Sequence, residues 1–221
     1  MPDEVELVDV TKGNIKVIQT LVSRIFPISY TGAFYHEIVH NGKKDFNKLL
    51  RANGTDVGVV LCKCSVMNDC APEVVKFWKE EDAQNLPEFV KTRDYEDINV
   101  KGKVKPSMLG QKVREKSVNG SIPESKENSD IQKYYYLYIS SLGIVIPRRG
   151  EGLGEVLMEH VFKLAYTTPN LLCVVLHVQT DNEDALRFYK RHGFKVAKRI
   201  ERYYTRLEPS SAFLLVWVPN F

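Results

Sequence analysis

Residues 171–178 read LLCVVLHV, a nearly continuous apolar run. A run of that kind predicts a strand buried on both faces, and such a strand sits inside a sheet that is covered above and below. The flanking sequence provides both sheet and cover. Upstream, YYYLYISSLGIVI (134–146) is rich in aromatic and β-branched residues and predicts a long strand. Between the two runs, Val156, Leu157, Val161, Phe162 and Leu164 recur at helical spacing to about Tyr166. Downstream, Asn182 to His192 predicts a helix closed by Gly193, with FKVAKRI and FLLVWV as final strands.

The N-terminal part reads in the same terms. VELVDV (5–10) alternates apolar and polar residues, as a half-buried strand does. Asn14 stands where it can cap a helix whose stripe is Ile15, Ile18, Leu21, Val22 and Ile25. Pro27 restricts Phe26 to extended geometry, so FPIS interrupts this helix before a short second one carrying Phe34, Tyr35, Ile38 and Val39. KLLRA (48–52) and VGVVLCKCS (57–65), joined through NGTD, predict a hairpin. The order is strand, two helices, three strands, helix, strand, helix and two strands. That is an α/β fold with a mixed central β-sheet flanked by helices.

A chain of 221 residues suits a single domain with an elaboration, and the elaboration is predicted at about 66–133. There SVNGSIPESKENSD is polar and punctuated, while NVKGKVKPSMLGQKVREKS (99–117) holds six Lys or Arg and one Glu. A solvated loop is the expected state of such a segment. The net charge of +3 is too small to argue for DNA or RNA as a partner. The acidic start MPDEVELVDV lacks a secretory apolar region, and no apolar run is long enough for a transmembrane segment. Cys62, Cys64, Cys70 and Cys173 form neither a dense disulfide framework nor a zinc site, so reduced thiols, no metal and a cytoplasmic location are expected.

Residues 146–157, IPRRGEGLGEVL, join the long strand to its helix. The loop is not a P-loop, which needs two glycines five residues apart followed by Lys and Ser or Thr. It also fails the dinucleotide pattern, because Glu155 stands where a third glycine is due after Gly150 and Gly152. What remains is Arg149-x-x-Gly152-x-Gly154 between a strand and a helix. Glycines let a backbone approach a ligand closely, and free N–H groups at a helix start attract phosphate oxygens. A tight turn that simply needs positive φ explains the same residues, and the loop alone leaves the two readings even.

Read with the rest of the chain, the loop resembles the acetyl-CoA pyrophosphate loop of the GNAT superfamily of N-acetyltransferases. LHVQTDNEDALRFYKRHGF resembles that fold's strand, splayed loop and helix. IFPISY, YISSLG and RYYTRLEP, together with that segment, look like the NatE-type N-terminal acetyltransferases, with the Golgi-associated NatF type a near second. The resemblance covers roughly residues 5–65 and 134–218. It implies acetyl-CoA as cosubstrate and, as acceptor, the α-amino group of peptides beginning with Met and usually a hydrophobic residue. Ribosome-associated acetyltransferase subunits are the partners it implies, or a peripheral Golgi membrane if the chain is NatF-like.

The family's roles carry over by position. Tyr138 and His177 are implied as bases that relay a proton through water. Leu142, Gly143 and Ile144 are implied to present backbone to the acetyl and pantetheine groups. Arg149, Gly150, Glu151, Gly152, Leu153, Gly154 and Glu155 are implied around the pyrophosphate, and Asn182 and Tyr189 along the cofactor arm. Phe26, Pro27, Ile28 and Tyr30 resemble one wall of the peptide site, and Tyr203, Tyr204 and Leu207 the other. Ser140 replaces the Met of NatE-type enzymes and implies a smaller or more polar pocket floor; Gly150 and Glu151 replace basic or apolar loop residues. A lysine or small-amine acetyltransferase on the same scaffold, and a mainly scaffolding subunit, are the other readings of this sequence.

Overall fold

The computed structural model describes residues 4–40, 44–66 and 134–219, so the segment expected as an insertion lies outside the described residues. Asn53 and Gly54 both take positive φ, 49° and 73°, and join β2 (Asn47–Ala52) to β3 (Thr55–Val66). A two-residue Asn-Gly turn of this kind matches the twist of paired antiparallel strands. Antiparallel pairing continues outward to β1 (Val5–Asp9) beside β2, and inward to β4 (Tyr135–Ile144) beside β3. β5 (Leu171–Gln179) then runs parallel to β4, followed in space by β7 (Ala212–Trp217) and β6 (Lys195–Ile200), both in antiparallel pairs. The seven strands lie in the order β1-β2-β3-β4-β5-β7-β6, the mixed sheet expected from the sequence.

Helices α1 (Ile15–Ile25) and α2 (Gly32–His40) cover one face, and α3 (Leu153–Thr167) and α4 (Glu183–Arg191) contribute to the core of the other. α1 buries Ile18, Leu21, Val22 and Ile25 against Leu49, Val59 and Leu61 of the sheet. α3 buries Leu157, Met158, Val161 and Leu164 against Leu137, Val174 and Leu176. The apolar run of β5 is indeed buried on both sides: Val174, Leu176 and Val178 join the α3 core, while Cys173 and Val175 pack with Leu214 and Val216 on the opposite face. Asn14 departs from expectation. It precedes α1 but makes no capping bond; its Oδ1 accepts from the Thr11 N–H and its Nδ2 donates to the Asp9 carbonyl, so it ties the β1–α1 turn instead. Among the described residues, no helix is long and apolar enough to cross a membrane.

One irregularity shapes the sheet. Register between β3 and β4 runs Leu61↔Ser141 and then Cys62↔Ile139, which leaves Ser140 as an extra residue on β4. A bulge bends its strand and interrupts the ladder. The Cys62 N–H beside it finds a side-chain acceptor, Oδ1 of the buried Asn47 at 3.0 Å. At the same level the parallel pairing of β4 with β5 ends, at Tyr138↔Val175. Beyond it, β4 continues to Ile144 against β3 alone and β5 continues to Gln179 against β7 alone.

The α3 core sets the stability of this arrangement. Leu157 is fully buried, and Leu157→Ala is expected to cost about 2–5 kcal/mol through lost transfer energy and a residual cavity. Chemical denaturation followed by circular dichroism measures this as a lower midpoint.

Candidate functional site

The gap between β4 and β5 opens immediately past Tyr138. Side chains alternate along each strand, so Tyr136 and Tyr138 share a sheet face with Cys173, Val175 and His177; the first four pack in one cluster. The Tyr138 hydroxyl lies 3.0 Å from Nδ1 of His177. From the loop between β6 and β7, Tyr203 lays its ring on the imidazole, with centroids 4.3 Å apart and planes 16° from parallel. Its hydroxyl is 3.2 Å from that of Tyr138. Tyr204 meets Tyr203 edge-on at 4.8 Å. This loop is fastened to the end of β5: Gln179 Nε2 donates to the Pro209 carbonyl at 2.8 Å, and the Thr180 and Ser211 hydroxyls lie 2.8 Å apart.

The connection between α1 and α2 reaches the same region from the other side. Tyr30 donates its hydroxyl to the Ser140 carbonyl at 2.6 Å and accepts from Ser141 Oγ at 2.9 Å. Its ring stacks on Phe34 at 4.0 Å. Burial pushes the Tyr30 phenol up to about 12 and the Tyr138 phenol well above its usual value, with the field of Tyr203 adding to the latter. Burial raises Tyr203 and Tyr204 as well. All four hydroxyls therefore stay protonated at neutral pH and act as hydrogen-bonding groups.

The strand edges of the gap divide the backbone expected to meet a ligand. Val145 N–H donates to the Val57 carbonyl at 2.9 Å. Antiparallel alternation then turns the peptide edge of Gly143 toward β3 and those of Leu142 and Ile144 toward the gap. The Ile144 carbonyl accepts from Arg149 Nε at 3.2 Å. Gly143 matters through close approach: a Cβ there would stand 2.5 Å from Ile25 Cγ2 and 2.9 Å from Phe26 Cζ. Its bare α-carbon lets the end of α1, and with it the FPIS segment, lie directly on β4.

After β4, the chain makes a short 3₁₀ turn at Ile146–Arg148 and then the glycine loop. Gly150 and Gly152 take φ of 83° and 79°, and Gly152 immediately precedes α3. Arg149, Gly150, Glu151 and Gly152 are exposed. Leu153 and Gly154 open the helix, where N–H groups have no acceptor four residues back. Gly154 also passes close to Phe188 of α4, whose Cε2 would stand 3.2 Å from an added Cβ. Arg148 is paired with Glu151, Nε to Oε2, at 2.7 Å. The Glu155 amide is engaged by the Gly152 carbonyl at 3.0 Å. Its carboxylate accepts from Arg191 Nη2 and His192 Nε2, 2.5 Å each, which locks the start of α3 to the end of α4.

Other expected residues are placed less directly. Asn182 Oδ1 caps α4 by accepting from the Ala185 N–H. Tyr189 is buried in the core on the α3 side, edge-on to Phe188 and Phe194 at 5.4 Å each. Phe26, Ile28 and Leu207 are half-buried and Pro27 is exposed. Ser141, Gln179 and His192 carry structural roles that the sequence did not single out. Only Ser141 had a local signal, a hydroxyl inside an otherwise apolar strand. Among the described residues, no group of three or more His, Cys, Asp or Glu is placed to hold a metal.

Comparison with known proteins follows the geometry. The sequence pattern of the acetyltransferase (GNAT) family matches residues 79–194, just over half of the chain. The chain is 28% identical to the "Probable N-acetyltransferase san" of Drosophila melanogaster over 96% of its own length and 79% of that protein's. It is 26% identical to N-alpha-acetyltransferase 50 of Danio rerio, over 97% of its length and 89% of that protein's. Among solved structures, Arabidopsis thaliana Naa50 in complex with the bisubstrate analogue CoA-Ac-MVNAL superposes with a TM-score of 0.62 at 24% identity, covering 98% of this chain and 99% of that one. Arabidopsis thaliana NAA60 in complex with acetyl-CoA gives 0.63 at 18% identity, covering 98% and 100%. These likenesses establish the fold.

Two variants test the fastenings. Tyr30→Phe leaves the buried Ser141 hydroxyl and the Ser140 carbonyl without their partner, an expected loss of about 1–3 kcal/mol in denaturation; Ser141→Ala added to it should cost little more. The second test is acid titration. Burial alone would raise the Glu155 carboxyl, but bonds from His192 and Arg191 override it and hold it below the ordinary carboxylate value. Its stabilising contribution is therefore present above the unfolded value of about 4.3 and lost as pH falls through the lower folded one. The thermal midpoint of Glu155→Gln is expected to fall less steeply than wild type across that acid window.

Proposed function

Since the chain belongs to the acetyltransferase (GNAT) family, we propose that it transfers an acetyl group from acetyl-CoA to the α-amino group of peptides that begin with Met followed by a hydrophobic residue. The observation that carries this reading is the Tyr138–His177 pair at the mouth of the β4–β5 gap, flanked by one aromatic loop on each side. Relatives named N-alpha-acetyltransferase support the choice of an α-amine, and the analogue bound to the Arabidopsis Naa50 carries a peptide beginning Met-Val. We read the chain as one domain with an insertion at about 66–133, and the family match over residues 79–194 spans the end of that stretch and the strands and helices that follow it.

The chain's own groups suit the cosubstrate. The N–H groups of Leu153 and Gly154 open a helix beneath two glycines at positive φ, with Arg149 beside them, a combination that receives phosphate oxygens. The edges of Leu142 and Ile144 line the gap, where an extended amide-bearing arm can pair with them as a strand would. Acetyl-CoA supplies the activated thioester carbonyl. Tyr189 sits too deep in the core to be a ready acid, because burial raises its phenol.

Only a neutral amine attacks, and an α-amino group loses its proton near about 7.7–8.0, so mild assistance suffices. The hydroxyl of Tyr138 hands its proton to His177 Nδ1 while its oxygen takes up, through water, the proton released by the amine; the N–C bond forms as the thioester C–S bond breaks, and the departing thiolate is protonated from solvent. No phenolate forms, in keeping with the upward shift of that phenol. For the peptide, Phe26, Pro27, Ile28 and Tyr30 would supply one wall and Tyr203, Tyr204 and Leu207 the other, an aromatic and aliphatic lining that suits an unbranched Met side chain. Ser140 gives the slot a small floor.

The test is a peptide panel incubated with acetyl-CoA: free Met-Val and Met-Leu N-termini, the same peptides with blocked α-amines, lysine-containing peptides, and a polyamine. Acetylation should be confined to free Met N-termini; product on lysine or polyamine alone overturns the proposal. The double variant Tyr138→Phe, His177→Ala should keep acetyl-CoA binding by calorimetry while losing about 100-fold or more in kcat. Unchanged turnover would refute the assignment of the pair.

A further inference from the structure

Tyr203 is expected from the sequence as a wall of the peptide site. Its contacts give it a second role. The ring lies nearly flat on the His177 imidazole, 4.3 Å between centroids and 16° from parallel, while the hydroxyl reaches 3.2 Å to that of Tyr138. One side chain therefore touches both members of the proposed base pair. We propose that Tyr203 is a positioning residue for the acetyl-transfer base, orienting Tyr138 through its hydroxyl and stabilising protonated His177 through its ring.

The hydroxyl contribution follows from counting protons. Tyr138 has one hydrogen and two potential partners, His177 Nδ1 and the Tyr203 hydroxyl. When Tyr203 donates to the Tyr138 oxygen, the Tyr138 hydrogen is left for Nδ1, and His177 is held as the Nε2–H tautomer. That is the tautomer able to receive a proton on the side where Tyr138 delivers it. The ring contribution follows from charge. When His177 takes that proton it becomes an imidazolium, and the electron-rich face of a phenol stacked on it favours the cation. The bonds Gln179–Pro209 and Thr180–Ser211 hold the loop that carries Tyr203, so the stack is fixed to the same strand as His177. Among the described residues, Tyr203 and Tyr204 from the β6–β7 loop and Tyr30 from the α1–α2 connection are titratable groups whose fields act on Tyr138 of β4.

This inference rests on the proposed function, and its test separates the two. Tyr203→Phe keeps the stack and removes the hydroxyl: kcat should fall about threefold to tenfold with the acid limb of kcat/KM against pH unmoved. Tyr203→Leu removes both: kcat should fall further, and the acid limb should move about half a pH unit lower, because the imidazolium has lost its stacked ring. Acetyl-CoA binding should be retained in both. A Tyr203→Leu enzyme with a raised peptide KM but wild-type kcat and acid limb would make Tyr203 a peptide contact alone and overturn the proposal. The ring contribution can also be read without activity, by NMR titration of labelled histidine in wild type and Tyr203→Leu. His177 titrating at lower pH in the variant supports the stack even if no α-amine is acetylated; identical titration overturns it.

Discussion

Everything at the site depends on β4 and β5 losing their hydrogen bonds to one another halfway along. A parallel pair in the middle of a sheet normally stays zipped, because every unpaired backbone group in the interior is costly. Here the pairing stops at Tyr138↔Val175, and each strand goes on with a different neighbour. The extra residue at 140 interrupts the β3–β4 ladder, and its carbonyl is met by Tyr30, while on the β2 side the neighbouring Cys62 amide is met by Asn47. What opens is a slot edged by main-chain donors and acceptors in a protein interior. On the proposed function, an amide-bearing arm would complete the sheet where the protein itself has left it incomplete.

Two loops flank that slot, and each is tied to a different strand. The α1–α2 connection is fastened to β4 through Tyr30, Ser140 and Ser141, while the β6–β7 loop is fastened to β5 through Gln179, Thr180 and Ser211. The geometry of the two walls thus reports the separation of the strands. The glycine loop belongs to the same design. It leaves β4 on the far side of the slot and enters α3, whose first turn is clamped to α4 through Glu155, Arg191 and His192.

Much of this was legible in the sequence. The order and type of every described strand and α-helix follow from periodicity and composition, though not the 3₁₀ turns at Lys44–Phe46 and Ile146–Arg148, and the apolar run at 171–178 is buried on both faces as its composition requires. Pairing Tyr138 with His177 came from a resemblance, and the structure brings the two side chains within hydrogen-bond distance. What the sequence could not reveal was long-range. A bulge is a mismatch between two strands and has no signature within one of them, so Ser140 read as a pocket residue and not as the hinge of the sheet. Asn14 carried the right residue type for a cap, yet a nearby amide and carbonyl competed for its side chain and won. Gly143 read as backbone presented to a ligand; the structure adds a constraint the sequence did not reveal, the close approach of Ile25 and Phe26, residues more than a hundred positions away.

The Tyr30 hydroxyl is fastened to the main-chain oxygen of residue 140, whatever side chain that residue carries. The side chain at 140 can therefore be exchanged while the loop above it stays moored. Mooring and side-chain chemistry are held by different atoms of one residue. Substitution at 140 changes what lies beneath the loop without loosening the bond that fixes it, so no compensating change is needed in Tyr30.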